Sequence, residues 1–151
     1  SYEHFEDLYW HVVIGPVFCN LAEIEAVARV CPNVVLHYNP AIKNLMDFCD
    51  MSISAAGSTT YELAACGVPA MLVVAADNQL RLAREAEQQG IAFNLGWHHE
   101  LEAARLYFAL DSLINNQMLR ETMAVCGQEL IDGRGAQRVA AILMDEMRKN
   151  R

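Results

Sequence analysis

The stretch Met51-Ser52-Ile53-Ser54-Ala55-Ala56-Gly57-Ser58-Thr59-Thr60-Tyr61-Glu62-Leu63-Ala64-Ala65-Cys66-Gly67-Val68-Pro69-Ala70-Met71-Leu72-Val73-Val74 decides the fold. Met51 to Ser54 reads as a short strand, and after Gly57 a helix runs from about Ser58 to Cys66, stopped by Gly67 and Pro69. Ala70 to Val74 is then a continuous apolar run, the signature of a strand covered on both faces and so placed centrally. Strand, helix and strand in so short a span form one βαβ unit, whose strands lie parallel because the helix carries the chain back across the sheet.

The same alternation extends in both directions. Upstream, Trp10 to Ile14 reads as a buried strand closed by Gly15-Pro16, followed by a helix from Leu21 to Val30. Asn20 is the expected N-cap of that helix, Glu23 its capping-box partner and Pro32 its stop. Val34 to Leu36 is a second strand, and Pro40 opens a short helix through Phe48. Downstream, a helix from about Asn78 to Gln89 ends at Gly90, and Ile91 to Asn94 is a short last strand. From about His99 the pattern is helical only, broken near Asn115-Asn116 and at Gly133-Arg134-Gly135. Five strands separated by helices predict a doubly wound, Rossmann-like α/β domain: one parallel sheet with helices on both faces. No linker, repeat or low-complexity segment interrupts the chain, so residues 1–151 are expected to form one domain.

Composition agrees with a packed globular domain and excludes several functions. Of 151 residues, 54% are hydrophobic and 20% charged, which argues against disorder and coiled coils. The net charge of −8, with no basic cluster except terminal Arg148, Lys149 and Arg151, argues against nucleic acid as a partner. An anionic ligand would have to be drawn by the dipole of a helix N-terminus. The apolar run Ala70 to Ala76 is far shorter than the roughly 20 residues that span a bilayer. Ser1-Tyr2-Glu3-His4 does not resemble a signal peptide. Cys19, Cys31, Cys49, Cys66 and Cys126 are odd in number and widely spaced, so neither a disulfide framework nor a CxxC metal site is implied, and a cytoplasmic location is expected.

Ligands of open parallel sheets lie beyond the carboxyl ends of the strands. Three polar loops fall there: Tyr38-Asn39, Ala55 to Glu62, and Ala76 to Gln79. In the middle loop the backbone N–H groups of Ser58, Thr59 and Thr60 are expected to point outward at the positive end of a helix, where phosphate binds. The plainer alternative is that Ser58 or Thr59 caps the helix. Glu62, one turn on, is placed to accept two vicinal ribose hydroxyls, or is simply a solvated first-turn acid favoured by the dipole. Asp77-Asn78-Gln79 offers acceptors and amide donors suited to sugar hydroxyls, or an N-cap and an exposed helix start.

Other residues carry weaker signals. His98-His99-Glu100 looks metal-like, but adjacent histidines at a helix start diverge by about 100°, which favours a capping role over a shared ion. His11 and His37 lie in or after strands and read as ordinary packed or surface histidines. Cys49 and Cys66 are expected on apolar helix faces without an activating cation. Met118, Met123, Met144 and Met147 read as core fillers.

The run Ser54 to Pro69, followed by Ala76-Asp77-Asn78-Gln79, resembles the nucleotide-sugar-binding half of glycosyltransferase-B-fold enzymes. Its pattern is that of the UDP-sugar hydrolase of pseudaminic acid synthesis and its relatives in surface and spore-coat polysaccharide pathways. The STxxE and Gly-x-Pro core is also similar to the N-acetylglucosaminyltransferase of peptidoglycan synthesis. The resemblance extends from about Val12 through Gln89, and Asp132-Gly133-Arg134-Gly135-Ala136 strengthens its hydrolase-like version. It implies a UDP site in which Gly57, Ser58, Thr59 and Thr60 hold the diphosphate and Glu62 the ribose. Tyr38 or its neighbour His37 would present backbone groups to uracil, and Asn78 and Gln79 would meet the sugar or diphosphate. Ala56 stands where the hydrolases usually have glycine, which is expected to crowd a phosphate oxygen.

The resemblance implies a UDP-sugar as ligand, no cofactor and no required metal, and an N-terminal domain that supplies the catalytic residues and is absent from this sequence. The sequence therefore reads as half of a UDP-sugar hydrolase, inactive by itself. A sugar transferase with another acceptor is the first alternative, and a non-catalytic module binding a nucleotide or a protein is the second.

Overall fold

The computed structural model describes residues 7–149, so Ser1-Tyr2-Glu3-His4 and Arg151 lie outside the described residues. The order of elements is β1 (Trp10–Ile14), α1 (Leu21–Val30), β2 (Val34–Tyr38), α2 (Ile42–Met46), β3 (Ser52–Ala55), α3 (Thr59–Cys66), β4 (Ala70–Val74), α4 (Leu80–Gln88), β5 (Ala92–Trp97), α5 (Ala103–Ile114), α6 (Gln117–Leu130) and α7 (Gly135–Lys149). Asp77–Gln79 and His98–Glu100 are short 3-10 turns. The chain divides into two compact units, one through Phe48 and one from Cys49.

The expectation of an α/β fold with parallel strands holds, but the ladders form two groups rather than one continuous sheet among the described residues. In the first unit β1 pairs with β2 in parallel, from Trp10 opposite Val34 to Ile14 opposite Tyr38. In the second, β4 lies between β3 and β5, all parallel, as its unbroken apolar run requires. Met71, Leu72 and Val74 of β4 are completely buried. Hydropathy marks a segment as a strand but does not name its ladder partner, so a single five-stranded sheet was not deducible from the pattern.

Helix α3 is held from behind by glycines of two kinds. Gly67 ends it at φ 72°, the left-handed conformation favoured by glycine, with Gly67 N–H donating to Ala64 O (3.0 Å) and Val68 N–H to Leu63 O (2.9 Å). Gly127 of α6 lets the two helices approach closely, because a Cβ there would stand 2.9 Å from Ala64 O and 3.1 Å from its Cα. Ala64, at that contact, is buried, as is its neighbour Leu63. The start of α3 therefore inherits its position from a backbone-to-backbone seam.

Several expected details differ. Asn20 is the N-cap residue of α1 but makes no side-chain cap bond; its amide donates instead to Glu23 Oε2 at 3.4 Å, so the capping box does not form. A true side-chain cap occurs at α6, where Asn116 Oδ1 accepts from Leu119 N–H at 2.9 Å. Helix α2 is shorter than Pro40 to Phe48 and leaves Cys49 outside any helix, its thiol raised in pKa by burial and by Asp50. Cys66 does close α3.

Met123 is buried as expected, but Met118, Met144 and Met147 are exposed at 76%, 57% and 68%. Helix α7 buries no residue, and Val139, Ile142, Leu143, Met144 and Met147 leave an apolar surface uncovered. Amphipathic spacing identifies an apolar face without saying what covers it. No helix among the described residues is long and apolar enough to cross a membrane.

Candidate functional site

The carboxyl edge of the β3–β4–β5 sheet gathers the loop residues singled out in the second unit. β3 leads through Ala56 and Gly57 into α3. Ala56 N–H donates to Val73 O at 3.0 Å, extending the ladder one residue past β3. Ala56 is 1% exposed, so its methyl is packed into the core and the expected crowding of a phosphate oxygen does not arise. Gly57 N–H turns back to Ala55 O at 2.8 Å. A Cβ on Gly57 would meet only Gln79 Nε2, at 4.0 Å, so the space over this residue is open.

The first turn of α3 is tight, and this changes which donors are available. Thr60 N–H donates to Gly57 O and Tyr61 N–H to Ser58 O, both at 3.0 Å. The expectation that Thr60 N–H points outward is thereby corrected: a 3-10-type first turn consumes it. The Thr60 side chain is 2% exposed and its hydroxyl has no partner among the described residues. Ser58 and Thr59 N–H donate to no acceptor among the described residues. Ser58, the N-cap residue, makes no side-chain cap bond either, so the plain capping alternative is not what its hydroxyl does here. Two backbone donors and the Ser58 hydroxyl therefore remain at the positive end of α3, with Glu62 exposed one turn further along.

The β4 loop supplies the facing wall. Asp77–Gln79 forms a 3-10 turn before α4, which differs from a helix beginning at Asn78. Gln79 Oε1 accepts from Ala75 N–H at 2.9 Å, fixing the amide so that Nε2 faces Gly57. Asn78 is exposed beside it. Gly57, Ser58, Thr59, Glu62 and Gln79 are thus brought to one edge.

Tyr38 ends β2 in the first unit, 55% exposed, and its hydroxyl donates to Glu25 Oε1 at 2.9 Å. That bond, then burial and the Glu25 charge, raise the phenol pKa. Asn39 follows at φ 47°, turning the chain sharply after the strand. His37 is in that strand, with Nε2 2.9 Å from His11 Nδ1, and Phe48 stands edge-on to His11 with ring centres 5.1 Å apart. The two histidines bond to each other across the β1–β2 ladder.

His98 and His99 occupy a 3-10 turn rather than the start of α5, whose N-cap is Glu102, so the expected capping role is not theirs. Asp132 to Ala136 forms the entry to α7. Asp132 Oδ1 accepts from Arg134 N–H (3.0 Å) and Arg138 Nη1 (3.1 Å), and Gly133 adopts φ 69°. The Arg134 bond first, then Arg138, lower the Asp132 pKa. Turn formation accounts for this motif. Sequence reasoning ended the last strand at Asn94, whereas β5 runs on to Trp97.

A parallel α/β sheet with Gly-Ser-Thr at a strand-to-helix turn on its carboxyl edge defines the class of open α/β domains with parallel strands. Within that class, the chain belongs to the glycosyltransferase family 28 C-terminal domain family, whose model matches residues 7–139. It is similar to the spore coat polysaccharide biosynthesis protein SpsG of Bacillus subtilis, with 32% identity over 101 residues, 67% of this chain and 30% of that protein. It is also 32% identical over 102 residues to the UDP-N-acetylglucosamine--N-acetylmuramyl-(pentapeptide) pyrophosphoryl-undecaprenol N-acetylglucosamine transferase of Oenococcus oeni, covering 64% of this chain and 27% of that enzyme. Among solved structures, WaaG, a glycosyltransferase involved in lipopolysaccharide biosynthesis, superposes with a TM-score of 0.64 at 18% identity, over 81% of this chain and 33% of WaaG. That likeness supports the fold, the C-terminal half of a glycosyltransferase-B architecture. The chain spans less than a third of the length of either curated relative.

Proposed function

We propose that this chain is the donor-binding domain of a UDP-sugar glycosyltransferase acting in polysaccharide biosynthesis. The observation that carries the reading is the pair of N–H groups at Ser58 and Thr59 that have no acceptor among the described residues, beside the open Gly57 and within a turn of the exposed Glu62. Backbone donors at a helix start suit a diphosphate, because they neutralise the charge that develops on it when the bond to the anomeric carbon breaks. Glu62 accepts the ribose hydroxyls, and Asn78 and Gln79 meet the sugar or diphosphate. Thr60, buried and with its N–H engaged, drops out of the donor set.

Transfer is preferred to hydrolysis for two reasons. The family is one of glycosyltransferase domains, and the Asp132 to Ala136 motif, which pointed to the hydrolase, is explained by its turn. An N-terminal domain carrying the acceptor and the catalytic residues completes the enzyme, and the uncovered apolar face of α7 is suited to pack against it. A cytoplasmic location accords with the same reading.

Calorimetric titration of UDP and uridine into the parent, Ser58→Ala and Thr59→Pro proteins tests it. Thr59→Pro removes an N–H at the first helical position but strains Ser58, whose φ −58°, ψ −29° is the αR conformation that a following proline disfavours, so a thermal melt accompanies the titration. UDP affinity should fall roughly tenfold or more in Thr59→Pro, since a hydrogen bond to a charged acceptor contributes about 1.5–3 kcal/mol, while uridine binding should not change. Undiminished UDP affinity in both folded variants would remove the phosphate role.

A further inference from the structure

Strands β1 and β2 carry a pair of rings that the donor site does not use. Side chains alternate between the faces of a strand, so His11, Val13, Val35 and His37 share one face of this ladder, His11 opposite Val35 and Val13 opposite His37. The two histidines are therefore diagonal neighbours, within reach of each other. Helix α1 lies over the other face, where Tyr38 bonds Glu25. On the histidine face Phe48 stands edge-on to His11, while Val13 and Val35 remain exposed and both imidazoles are half-buried, so solvent has a path to the pair.

His11 Nδ1 and His37 Nε2 are 2.9 Å apart, with ring centres 5.1 Å apart and planes tilted by 32°. A divalent ion bonded to imidazole at about 2.0–2.1 Å holds two adjacent nitrogens about 2.9–3.4 Å apart, so the observed spacing falls within the span of a shared ion. One of the two nitrogens carries the proton of the hydrogen bond and the other accepts it. Coordination at both requires the donor ring to take its other tautomer. Its proton passes through water to its remote nitrogen, the rings pivot so that both lone pairs converge, and no proton is lost overall. No group of three His, Cys, Asp or Glu able to hold an ion occurs among the described residues, so the chain supplies two donors and water the rest.

We propose that His11 and His37 form a solvent-open, two-imidazole site for a first-row divalent transition-metal ion. The inference is independent of the donor-site reading. Neutral imidazole suits Ni2+, Cu2+ and Zn2+, whereas Mg2+ takes oxygen donors. Neither ring makes a further hydrogen bond among the described residues, so a support worth roughly 10–100-fold in affinity is missing and the ion exchanges readily.

The test titrates Ni2+ into the untagged chain, with Mg2+ as control, and follows amide line broadening by NMR alongside calorimetry. Ni2+ is paramagnetic, so it broadens the signals nearest to it, and unlike Cu2+ it leaves the free cysteines reduced. Substoichiometric Ni2+ should broaden the amides around His11 and His37 first. It should also raise the Tm, because the two strands bring the rings together only in the folded chain. His11→Gln and His37→Gln should each weaken Ni2+ binding roughly tenfold or more, and Mg2+ should do none of this. Broadening in the parent needs no substitution, so a poorly folded variant does not block the answer. Broadening centred on His98 and His99 or on a cysteine, unchanged affinity in either folded variant, or no Ni2+ binding at millimolar concentration overturns the inference.

Discussion

Replacing Gly57 by alanine separates what the fold needs from what a ligand needs. Gly57 does not occupy the left-handed region, and the added Cβ would find its nearest neighbour, Gln79 Nε2, at the ordinary contact distance of 4.0 Å. The folded protein should therefore tolerate the methyl, with a stability change of no more than about 1 kcal/mol, and that in the stabilising direction because the unfolded chain loses freedom. A diphosphate oxygen seated against Ser58 and Thr59 N–H would lose its close approach to the backbone. Forfeiting one charge-assisted hydrogen bond costs about 1.5–3 kcal/mol, a roughly ten- to hundredfold loss of UDP affinity. Calorimetric titration of UDP and uridine, with a thermal melt of the same samples, reads both quantities. An unchanged UDP affinity in the folded variant would refute the cradle, and equal losses for uridine and UDP would show that the loop had simply moved.

Glu62→Ala should weaken UDP roughly tenfold, about 1.4 kcal/mol, and leave inorganic diphosphate nearly unaffected; equal weakening of both would count against a ribose contact. Gly127→Ala should destabilise the domain by about 1–3 kcal/mol in urea unfolding, because its Cβ would stand 2.9 Å from Ala64 O and backbone must move. A neutral result would mean that α6 and α3 slide freely. The Asp132 carboxylate has a folded pKa lowered by Arg134 N–H and Arg138, so its stabilisation of the turn is complete above the ordinary carboxylate range and lost as pH falls through the lowered value. A carboxyl-resolved NMR titration checks this, and an Asp132 midpoint at or above that of free aspartate would contradict it.

Where burial and covalent geometry act locally, the sequence was a good guide. β1, α1 and β4 begin and end where their apolar runs and stop signals put them, since a Gly-Pro or Cys-Pro break leaves the backbone little choice. The site was legible as a location, because Gly57-Ser58-Thr59 lies between a strand and a helix and only one edge of a parallel sheet receives such turns. Its details depended on geometry that residue types do not encode. Whether the first turn of α3 is 3-10 or α decides the fate of Thr60 N–H, and both satisfy the same sequence. The last strand reads as ending at Asn94 but runs on to Trp97 through a bulge at Leu95, recognisable only once Leu72 and Val73 are seen to skip that residue. The exposed methionines of α7 obey helical periodicity as faithfully as Met123 does. Their difference lies in what surrounds them.

The seam between α3 and α6 has a bearing on how such domains can be recombined. Contacts made through flexible side chains let two elements diverge independently, each substitution absorbed by a rotamer change nearby. A carbonyl packed against a glycine has no such slack. A chimera that imports only the loop and helix following β3 from a relative would arrive with its ligand-facing end aimed by a foreign partner, tilted by whatever residue that relative keeps opposite position 64. The minimal exchangeable piece of this domain is therefore discontinuous, residues 52–68 together with 117–130, and a donor-specificity graft should be cut along that line.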